Sequence, residues 1–393
     1  MDTKTAAHAR VIESTDQLVT LSHGIHSHPE LAFEEFISSR MAADALATDR
    51  RFTVNMGVAG RETAFTATAG PGPLHLGICA EYDALPGIGH ACGHNIIASA
   101  AVGAGLALAG VADELGIRVT VFGCPAEEGG GGKLDMLDAG LFDGVHAAMM
   151  VHPAPVESDR MHCLSVSHFD VHYHGRTAHA SAFPQMGINA ADAITVAQVG
   201  IGLLRQHIRP TDRLHGIVTK GGDAPNIVPD HTLFKMYVRS RTIAELGDLE
   251  PRIQRIFEAG ALATGCTHEI VQHSRPYSEF LDDEDMVALY RANAETLGRR
   301  FPAPQKRRPD GEPHDGENAV SASTDMGNVS LKIPSIHPML GLNCLPASNH
   351  QPEFTAACIT EVADRAVIDG ATAMAWTCID LATDAVQRAR LLA

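Results

Sequence analysis

Three short apolar segments, separated by helical ones, constrain the fold of this 393-residue chain most strongly. Residues 74–80 (LHLGICA), 117–123 (IRVTVFG) and 147–151 (AAMMV) are almost continuously apolar, which is typical of strands buried on both faces. A helical segment from about Asn95 to Gly116 lies between the first two strands, and a second helix carries KLDMLDAGLF. This order predicts an α/β fold with a mixed, mostly parallel sheet covered by helices.

The middle of the chain follows a different pattern. Apolar and polar side chains alternate in residues 165–175 (SVSHFDVHYHG), as in a strand with one buried face. A helix, two strands, a second helix and a last strand follow, and the order β-α-β-β-α-β is that of a ferredoxin-like unit. We therefore predict an inserted domain at residues 165–280, which divides the first domain into residues 1–164 and 281–393.

The remaining segments predict a return to the first domain. A helix begins near Asp282, and the polar, Pro/Gly-rich residues 302–320 (PAPQKRRPDGEPHDGENAV) predict a loop. IPSIHPML, residues 333–340, predicts a short strand, and the chain is helical from Thr355 onward.

Composition and charge exclude several classes of protein. The formal net charge of −17 disfavours nucleic acid and anionic membranes as partners, because both require a basic surface. The first twenty residues lack the apolar stretch of a signal peptide, and no segment reaches the roughly 20 apolar residues of a transmembrane helix. The eight cysteines follow no disulfide-scaffold spacing. We therefore predict a cytoplasmic protein with free thiols.

Side chains that bind metals follow each buried strand of the first domain. They are, in strand order, Asp83, Cys92 and His94, then Glu127 and Glu128, then His152. In open α/β sheets, ligands bind beyond the carboxyl ends of the strands. A mixed set of thiol, imidazole and carboxylate groups, with no C-x-x-C pair, indicates a catalytic metal site rather than a closed structural zinc site. In such a site one carboxylate can bind metal while its neighbour acts as a general base.

Each motif alone also has a structural explanation. A buried Cys92 can be a small core residue, and Glu127 with Glu128 can be a solvated helix N-terminus. EEGGGGKL is similar to a phosphate-binding loop, but Leu134 follows Lys133 where that motif requires Ser or Thr. The coincidence of three motifs at equivalent strand ends favours the metal site.

Seven motifs together resemble those of the co-catalytic metallopeptidase family. They are HSHPELAFEE, EYDALPGIGHACGHN, PAEEGGGG, MMVHPAP, GRTAHAS, GGDAPNIVPD and LNCLPASNHQPEF. The family includes aminoacylases, carboxypeptidase-G-type enzymes, auxin-conjugate amidohydrolases and p-aminobenzoyl-glutamate hydrolase, and the resemblance extends from about residue 21 to 356. It implies a metal-binding α/β domain interrupted by a ferredoxin-like lid that dimerises. ACGHN and STDMGNVS are most similar to the p-aminobenzoyl-glutamate hydrolase and dipeptidase-like branch.

The resemblance also implies roles for the matching residues of the first domain. Cys92, an aspartate in many relatives, is implied to bridge two divalent ions. The remaining implied ligands are His94, Glu128, His152 and His350. Glu127 is implied to be the general base, and Asp83 is implied to be an orienting carboxylate. The chain departs from many relatives at Asn95 and Tyr82, where they have Asp and Met.

Three residues of the inserted domain are implied to act on the substrate. His179, in GRTAHAS, is implied to stabilise the oxyanion across a dimer interface. Asn226 and Arg239 are implied to bind the substrate carboxylate, a task that suits the bidentate arginine fork.

The implied activity is metal-dependent hydrolysis of an amide bond in a small N-acyl amino acid or dipeptide-like substrate such as p-aminobenzoyl-glutamate. Zn²⁺ or Mn²⁺ is expected, with Co²⁺ or Ni²⁺ as further candidates, because thiolate, imidazole and carboxylate ligands suit all of them. A β-alanyl-type dipeptidase and an N-acyl amino acid deacylase stay open. From other classes, a non-catalytic metal- or peptide-binding subunit and a structural subunit beside a paralogue stay open.

Overall fold

The computed structural model describes residues 2–302 and 322–393 of the chain. Of the loop predicted at residues 302–320, all but the first residue lies outside the described residues. The chain divides into two compact units, a first unit of Met1–His162 with Phe280–Ala393 and a second unit of Cys163–Glu279. The assignment of the inserted segment as a lid and dimerisation domain stays a prediction.

The bounds of the regular elements are as follows. The strands are β1 (Thr53–Met56), β2 (Phe65–Ala69), β3 (Leu74–Glu81), β4 (Ile117–Cys124), β5 (Ala147–Met149), β6 (His152–Ala154), β7 (Ser165–His174), β8 (Arg213–Lys220), β9 (His231–Ser240), β10 (Thr267–Gln272), β11 (Ser335–Ile336) and β12 (Met339–Gly341). The α-helices are α1 (Thr3–Glu13), α2 (Thr15–His26), α3 (Phe36–Ala47), α4 (His94–Ala109), α5 (Ala112–Leu115), α6 (Gly132–Asp138), α7 (Ala190–Leu204), α8 (Ile243–Thr264), α9 (Glu284–Thr296), α10 (Met326–Ser330), α11 (Pro352–Ala357), α12 (Glu361–Thr383) and α13 (Ala385–Leu392).

A mixed six-stranded sheet forms the centre of the first unit, with the order β1-β2-β4-β3-β5-β11. β3 is parallel to β4 and β5, and β5 is parallel to β11, whereas β2 runs antiparallel to β1 and β4. The predicted α/β fold with a mostly parallel sheet is confirmed. The strand predicted at 147–151 ends at Met149, and the separate strand β6 follows it. The strand predicted at 333–340 is divided into β11 and β12, because β12 leaves the main sheet and pairs with β6.

The helix α4 is buried along its whole length, which explains its Ala/Gly-rich sequence. A side chain at Gly103 would bring its Cβ within 2.8 Å of Ala371 in α12 and of Leu18 in α2. Small residues therefore let these helices approach α4 closely. The helix predicted from about residue 95 to 116 ends at Ala109, and the short α5 follows it.

The second unit has a four-stranded antiparallel sheet with the order β10-β7-β9-β8. Its core contains Phe169, Val171 and Tyr173 of β7, as the alternation predicts, together with Phe234 of β9 and Phe257 of α8. The element order β7-α7-β8-β9-α8-β10 is the predicted ferredoxin-like arrangement.

Within residues 2–302 and 322–393, none of the helices combines the length with the apolar composition that crossing a bilayer requires.

Candidate metal centre

The loops that carry Cys92 and the glutamate pair begin where two neighbouring strands of the main sheet end. β3 and β4 are parallel, and their last residues, Glu81 and Cys124, are paired. The loop after β3 ends at Gly93, whose φ of +78° favours glycine, and a Cβ there would lie 2.4 Å from Pro153 Cγ. This close approach places the start of α4 against the strand β6.

The structure brings the candidate ligands of the first unit together. Cys92 Sγ lies 3.4 Å from His152 Nε2, and Glu128 Oε1 lies 3.8 Å from His94 Nε2 and 3.5 Å from His350 Nε2. The donor atoms form two groups, each spanning less than 4.8 Å: Cys92 with His94 and His152, and Cys92 with Glu128 and His350. Because Cys92 belongs to both groups, its sulfur can be shared between two ions.

Hydrogen bonds fix which ring nitrogen of His152 and of His94 faces the cluster. His152 Nδ1 lies 2.8 Å from the carbonyl oxygen of Pro153, which can only accept, so Nδ1 carries the proton and Nε2 has a free lone pair. His94 Nδ1 lies 2.9 Å from Asp83 Oδ1, which leaves His94 Nε2 directed at the cluster when the ring is neutral. Burial lowers the pKa of His152 to about 4, so this ring is neutral at pH 7.

Asp83 connects two of the strand-end loops. Its Oδ2 accepts a hydrogen bond of 2.9 Å from the backbone N–H of Glu128, while Oδ1 contacts His94. Burial opposes ionisation of Asp83, but the charge and hydrogen bond of His94 outweigh burial and lower the pKa of the carboxyl group. The ionised carboxylate can therefore orient His94 and the loop of Glu128 together.

The protein atoms of the cluster fit divalent cations. His94 Nε2 and Glu128 Oε1 are buried and have no hydrogen-bond partner among the described residues. Burial and nearby carboxylates raise the pKa values of Glu127 and Cys92 well above their ordinary values, so the chain alone does not stabilise these anions. Cations would supply that stabilisation, and a set of thiolate, imidazole and carboxylate suits ions such as Zn²⁺ and Mn²⁺.

Strained backbone holds two of the loops. Ala126, just before the glutamate pair, has a φ of 58°, and His350 has a φ of 67°. Such conformations of non-glycine residues cost about 1–3 kcal/mol and persist where the surroundings fix them. The N–H of Ala126 donates to the buried Glu35 at 2.8 Å, and the N–H of His350 donates to the carbonyl oxygen of Ala91 at 2.8 Å. Both contacts tie the strained residues to neighbouring loops of the same unit.

Three further buried residues beside the cluster were not predicted from the sequence to belong to a site. Glu81 ends β3, Lys133 lies in the first turn of α6, and Asp325 precedes α10, and all three side chains are fully buried and ion-paired. Glu81 precedes Asp83 by two positions at the same strand end, which is the signal that could have identified it. Lys133 and Asp325 carry no such signal, because charged residues are usually exposed.

The second unit contains the three residues predicted to act on the substrate. His179 is exposed, and its Nδ1 accepts hydrogen bonds from the N–H groups of Ser181 (3.3 Å) and Ala182 (3.2 Å), so the neutral ring carries its proton on Nε2. The segments of His179 and Asn226 are adjacent, since Ala180 N donates to the Asn226 carbonyl oxygen at 3.0 Å. Arg239 lies on β9, with its guanidinium 5.9 Å from the ring centre of Tyr237.

Comparisons with known proteins cover nearly the whole chain. The model of the peptidase family M20/M25/M40 matches residues 77–367. The chain is 35% identical to the Xaa-Arg dipeptidase of Mus musculus over 402 residues, which span 96% of this chain and 88% of that protein. It is 28% identical to one of the p-aminobenzoyl-glutamate hydrolase subunits of Escherichia coli (strain K12) over 438 residues, which span 95% and 91% of the two chains.

A solved structure shows the same fold. It is a dinuclear metal binding peptidase of the M20 family from Bacillus subtilis, with a TM-score of 0.65 and 21% identity. The match covers 95% of this chain and 99% of that one.

Proposed function

The chain belongs to the peptidase family M20/M25/M40 and is an amide-bond hydrolase, and we propose that it uses two divalent metal ions to cleave a small dipeptide-like or N-acyl amino acid substrate. The observation that carries the proposal is the buried cluster in which Cys92 belongs to two groups of donor atoms. The Bacillus subtilis peptidase of the same fold is itself a dinuclear metal binding protein, which supports the proposal.

The two groups of donor atoms assign ligands to each ion. Cys92 with His94 and His152 would hold one ion, and Cys92 with Glu128 and His350 would hold the other. Bound divalent ions would lower the pKa of water and polarise the amide carbonyl group. Zn²⁺ and Mn²⁺ are the first candidates for this site, followed by Co²⁺ and Ni²⁺.

Glu127 is proposed as the general base. Its Oε2 lies 3.9 Å from His94 Nε2, within the cluster rather than at its periphery. Glu127 would accept a proton from the attacking water as the bond from oxygen to the carbonyl carbon forms. It would then deliver that proton to the nitrogen as the carbon–nitrogen bond breaks, so that a carboxylate and an amine leave the site.

Residues of the second unit are proposed to bind the substrate. His179 would donate its Nε2–H to the carbonyl oxygen, on which negative charge develops. Asn226 and Arg239 would bind a carboxylate of the substrate. We further propose a homodimer formed through the second unit, with His179 supplied by the partner chain.

The names of two relatives narrow the substrate class. Xaa-Arg dipeptides and p-aminobenzoyl-glutamate both carry an amino acid with a free α-carboxylate on the nitrogen side of the cleaved amide. We propose that the leaving amine of this chain's substrate is likewise an α-amino acid. This choice agrees with the proposed carboxylate-binding role of Asn226 and Arg239.

A substrate panel tests the function directly. Purified chain is incubated with N-acyl amino acids, p-aminobenzoyl-glutamate, Xaa-Arg dipeptides and β-alanyl dipeptides, each with Zn²⁺, Mn²⁺ or Co²⁺. Hydrolysis of at least one amide with a C-terminal amino acid is expected, and it should disappear with a chelator. Absence of hydrolysis across the panel, with binding of the metals or peptides retained, would support the non-catalytic alternative.

Two isosteric variants test the roles of the glutamate pair. Glu127→Gln is expected to retain its metal and lose about 10²–10⁴-fold in turnover, because it removes only the base. Glu128→Gln is expected to lose metal as well. Metal analysis that finds Glu127→Gln empty and Glu128→Gln loaded would reverse the two assignments.

Mixing two inactive variants tests the shared site. His179→Ala chains and Glu127→Gln chains are mixed under conditions that exchange subunits, and heterodimers are verified by mass. If His179 acts on the partner's site, one site in each heterodimer is intact and activity returns. Activity that stays at the level of the variants would contradict the shared site.

A further inference from the structure

A fully buried lysine lies between two carboxylates beside the metal-binding cluster. Lys133 Nζ donates to Glu81 Oε1 at 2.5 Å and to Asp325 Oδ1 at 2.6 Å, and none of the three side chains has exposed surface. The backbone N–H of Lys133 also donates to Asp325 Oδ2 at 3.0 Å. We call Glu81, Lys133 and Asp325 the lysine triad. Asp325 contacts Lys133 with both of its oxygens, and Lys133 in turn fixes one oxygen of Glu81.

The other oxygen of Glu81 faces the cluster. Glu81 Oε2 lies 3.5 Å from His94 Nε2 and has no hydrogen-bond partner among the described residues. Glu81, His94 and Glu127 offer donor atoms that lie within 4.8 Å of one another. A buried carboxylate oxygen without a hydrogen bond is costly unless a positive charge compensates it. The orientation of Glu81 therefore suits attraction to a cation at His94.

We propose that Glu81 is a positioning residue of the metal centre, clamped by Lys133 and Asp325 so that its free oxygen attracts the ion held by His94. This inference rests on the proposed two-metal function. Lys133 neutralises one of the two carboxylates, which leaves the lysine triad one net negative charge. Because Asp325 faces Lys133, that charge reaches the cluster through Glu81.

The proposal predicts a difference between the two ions. His94 is fully buried and faces Glu81, whereas the side chain of His350 is 55% exposed. Low effective dielectric strengthens the attraction between the Glu81 carboxylate and an ion at His94. Loss of the Glu81 charge is therefore expected to weaken binding of the ion at His94 and to leave the affinity for the ion at His350 nearly unchanged.

Glu81→Gln tests the inference, with Glu157→Gln as its matched control. Glu157 is also a largely buried glutamate of the first unit that is paired with a cation, and it accepts hydrogen bonds from Arg299 and Gly341 rather than facing the cluster. Metal-free full-length chains are titrated with Mn²⁺ by calorimetry. Glu81→Gln is expected to bind one of two ions about 10–100-fold more weakly, with kcat reduced and KM unchanged. Glu157→Gln is expected to retain the wild-type affinity for both ions.

The outcomes separate this inference from the proposed function. Wild-type affinity for both ions in Glu81→Gln would overturn the positioning role and leave the two-metal function intact. A wild-type chain that binds no divalent ion would overturn the proposed function first. If Glu81→Gln does not fold, Glu81→Asp replaces it, because this variant keeps the charge and withdraws it by one methylene. Glu81→Asp is then expected to bind the ion at His94 more weakly than wild type, and unchanged affinity would overturn the inference.

Discussion

Two ion triads of the first unit, one fully buried and one largely buried, differ in how their carboxylate oxygens are hydrogen-bonded. The arginine triad consists of Glu157, Arg299 and Asp369, whose side chains are 11%, 10% and 5% exposed. Arg299 contacts both oxygens of Glu157, at 2.8 to 3.1 Å, and lies 3.5 Å from Asp369. Two further hydrogen bonds bind the carboxylates: Gly341 N donates to Glu157 at 3.0 Å, and Arg365 donates to Asp369 at 2.7 Å.

The lysine triad differs because one of its carboxylate oxygens has an ion-pair contact, at 3.5 Å from His94 Nε2, in place of a hydrogen bond. Its side chains have no exposed surface, yet Glu81 Oε2 makes no hydrogen bond within the described residues. In the arginine triad, by contrast, each of the four carboxylate oxygens accepts a hydrogen bond from Arg299 or Arg365. A saturated triad stabilises the fold, whereas a triad with one open oxygen directed at a metal-binding cluster is suited to hold a cation. The hydrogen bonds of the carboxylate oxygens therefore distinguish an ion network suited to structure from one suited to hold a cation.

The largest effect is expected from removing the central cation of each triad. Lys133→Met leaves two fully buried carboxylates without a cation and is expected to cost about 3–5 kcal/mol of unfolding free energy. Arg299→Met is expected to cost about 1–3 kcal/mol, because Gly341 N and Arg365 still bind the carboxylates. Equal losses would contradict the distinction between the triads.

A single fluorophore reports these losses. Trp376, in α12 of the first unit, is the only tryptophan of the chain. Urea unfolding of metal-free protein, followed by its fluorescence, gives the stability of that unit without a contribution from bound metal.

Exchanging lysine and arginine is expected to have a smaller effect and to separate stability from activity. Lys133→Arg places a larger group in a fully buried site and is expected to cost about 1–3 kcal/mol and to lower kcat by displacing Glu81. Arg299→Lys loses the guanidinium fork and is expected to cost about 1–2 kcal/mol with kcat unchanged. The measurements are urea unfolding and steady-state kinetics. A fall in kcat of the same size in both variants would show that the lysine triad has no special relation to the site.

The sequence predicted the centre of the fold better than its periphery. β3 and β4 are buried on both faces, so their apolar runs identify them without tertiary information. The antiparallel strands β1 and β2 alternate in burial over only four and five residues, which is too short for a distinct pattern. The separation of β6 from β5 depends on pairing with β12, a contact that no local pattern encodes.

In the candidate site, too, local sequence patterns predicted some residues, and others depend on tertiary contacts. Its strand-end ligands were predicted because parallel strands place their carboxyl ends at one edge of the sheet. The lysine triad was not predicted from the sequence, because Lys133 and Asp325 are 192 positions apart and only the fold buries them together. A lysine after a glycine run is normally exposed, and the burial of Lys133 becomes evident only when both carboxylates beside it are known.

Glu35 is a buried carboxyl group that, unlike those of the two triads, is protonated rather than paired with a cation. Its effect on stability is therefore expected to depend on pH. Burial and the charge of Asp83 raise the pKa of Glu35 from 4.5 to about 7. The folded state therefore binds more protons than the unfolded state between pH 4.5 and 7, and the stability from this group falls as the pH rises through that window. As the pH rises from 4.5 to 7, the free energy of unfolding of Glu35→Gln should increase relative to wild type by about 1–2 kcal/mol, once screening by water is allowed for.

Urea unfolding of metal-free protein at several pH values measures this gain. The reference is the same series on Glu157→Gln: burial also raises the pKa of Glu157, but its ion pair with Arg299 opposes the rise, so a smaller pH-dependent difference is expected. A pH-independent difference between wild type and Glu35→Gln would contradict the raised pKa.

The smallest effect is expected from Cys92→Asp, which changes a ligand and leaves the lysine triad intact. An aspartate carries the same charge as the thiolate, so both ions are expected to bind and the contribution of Glu81 is unchanged. Replacing soft sulfur by oxygen should shift the ratio of Zn²⁺ to Mn²⁺ affinity toward Mn²⁺ by up to about tenfold, or about 1.4 kcal/mol. Cys92→Ser is the matched control, because it keeps the size of the thiol without the charge and should lose metal. Competition titrations measure both variants, and loss of metal in Cys92→Asp as large as in Cys92→Ser would show that charge at this position does not hold the ions.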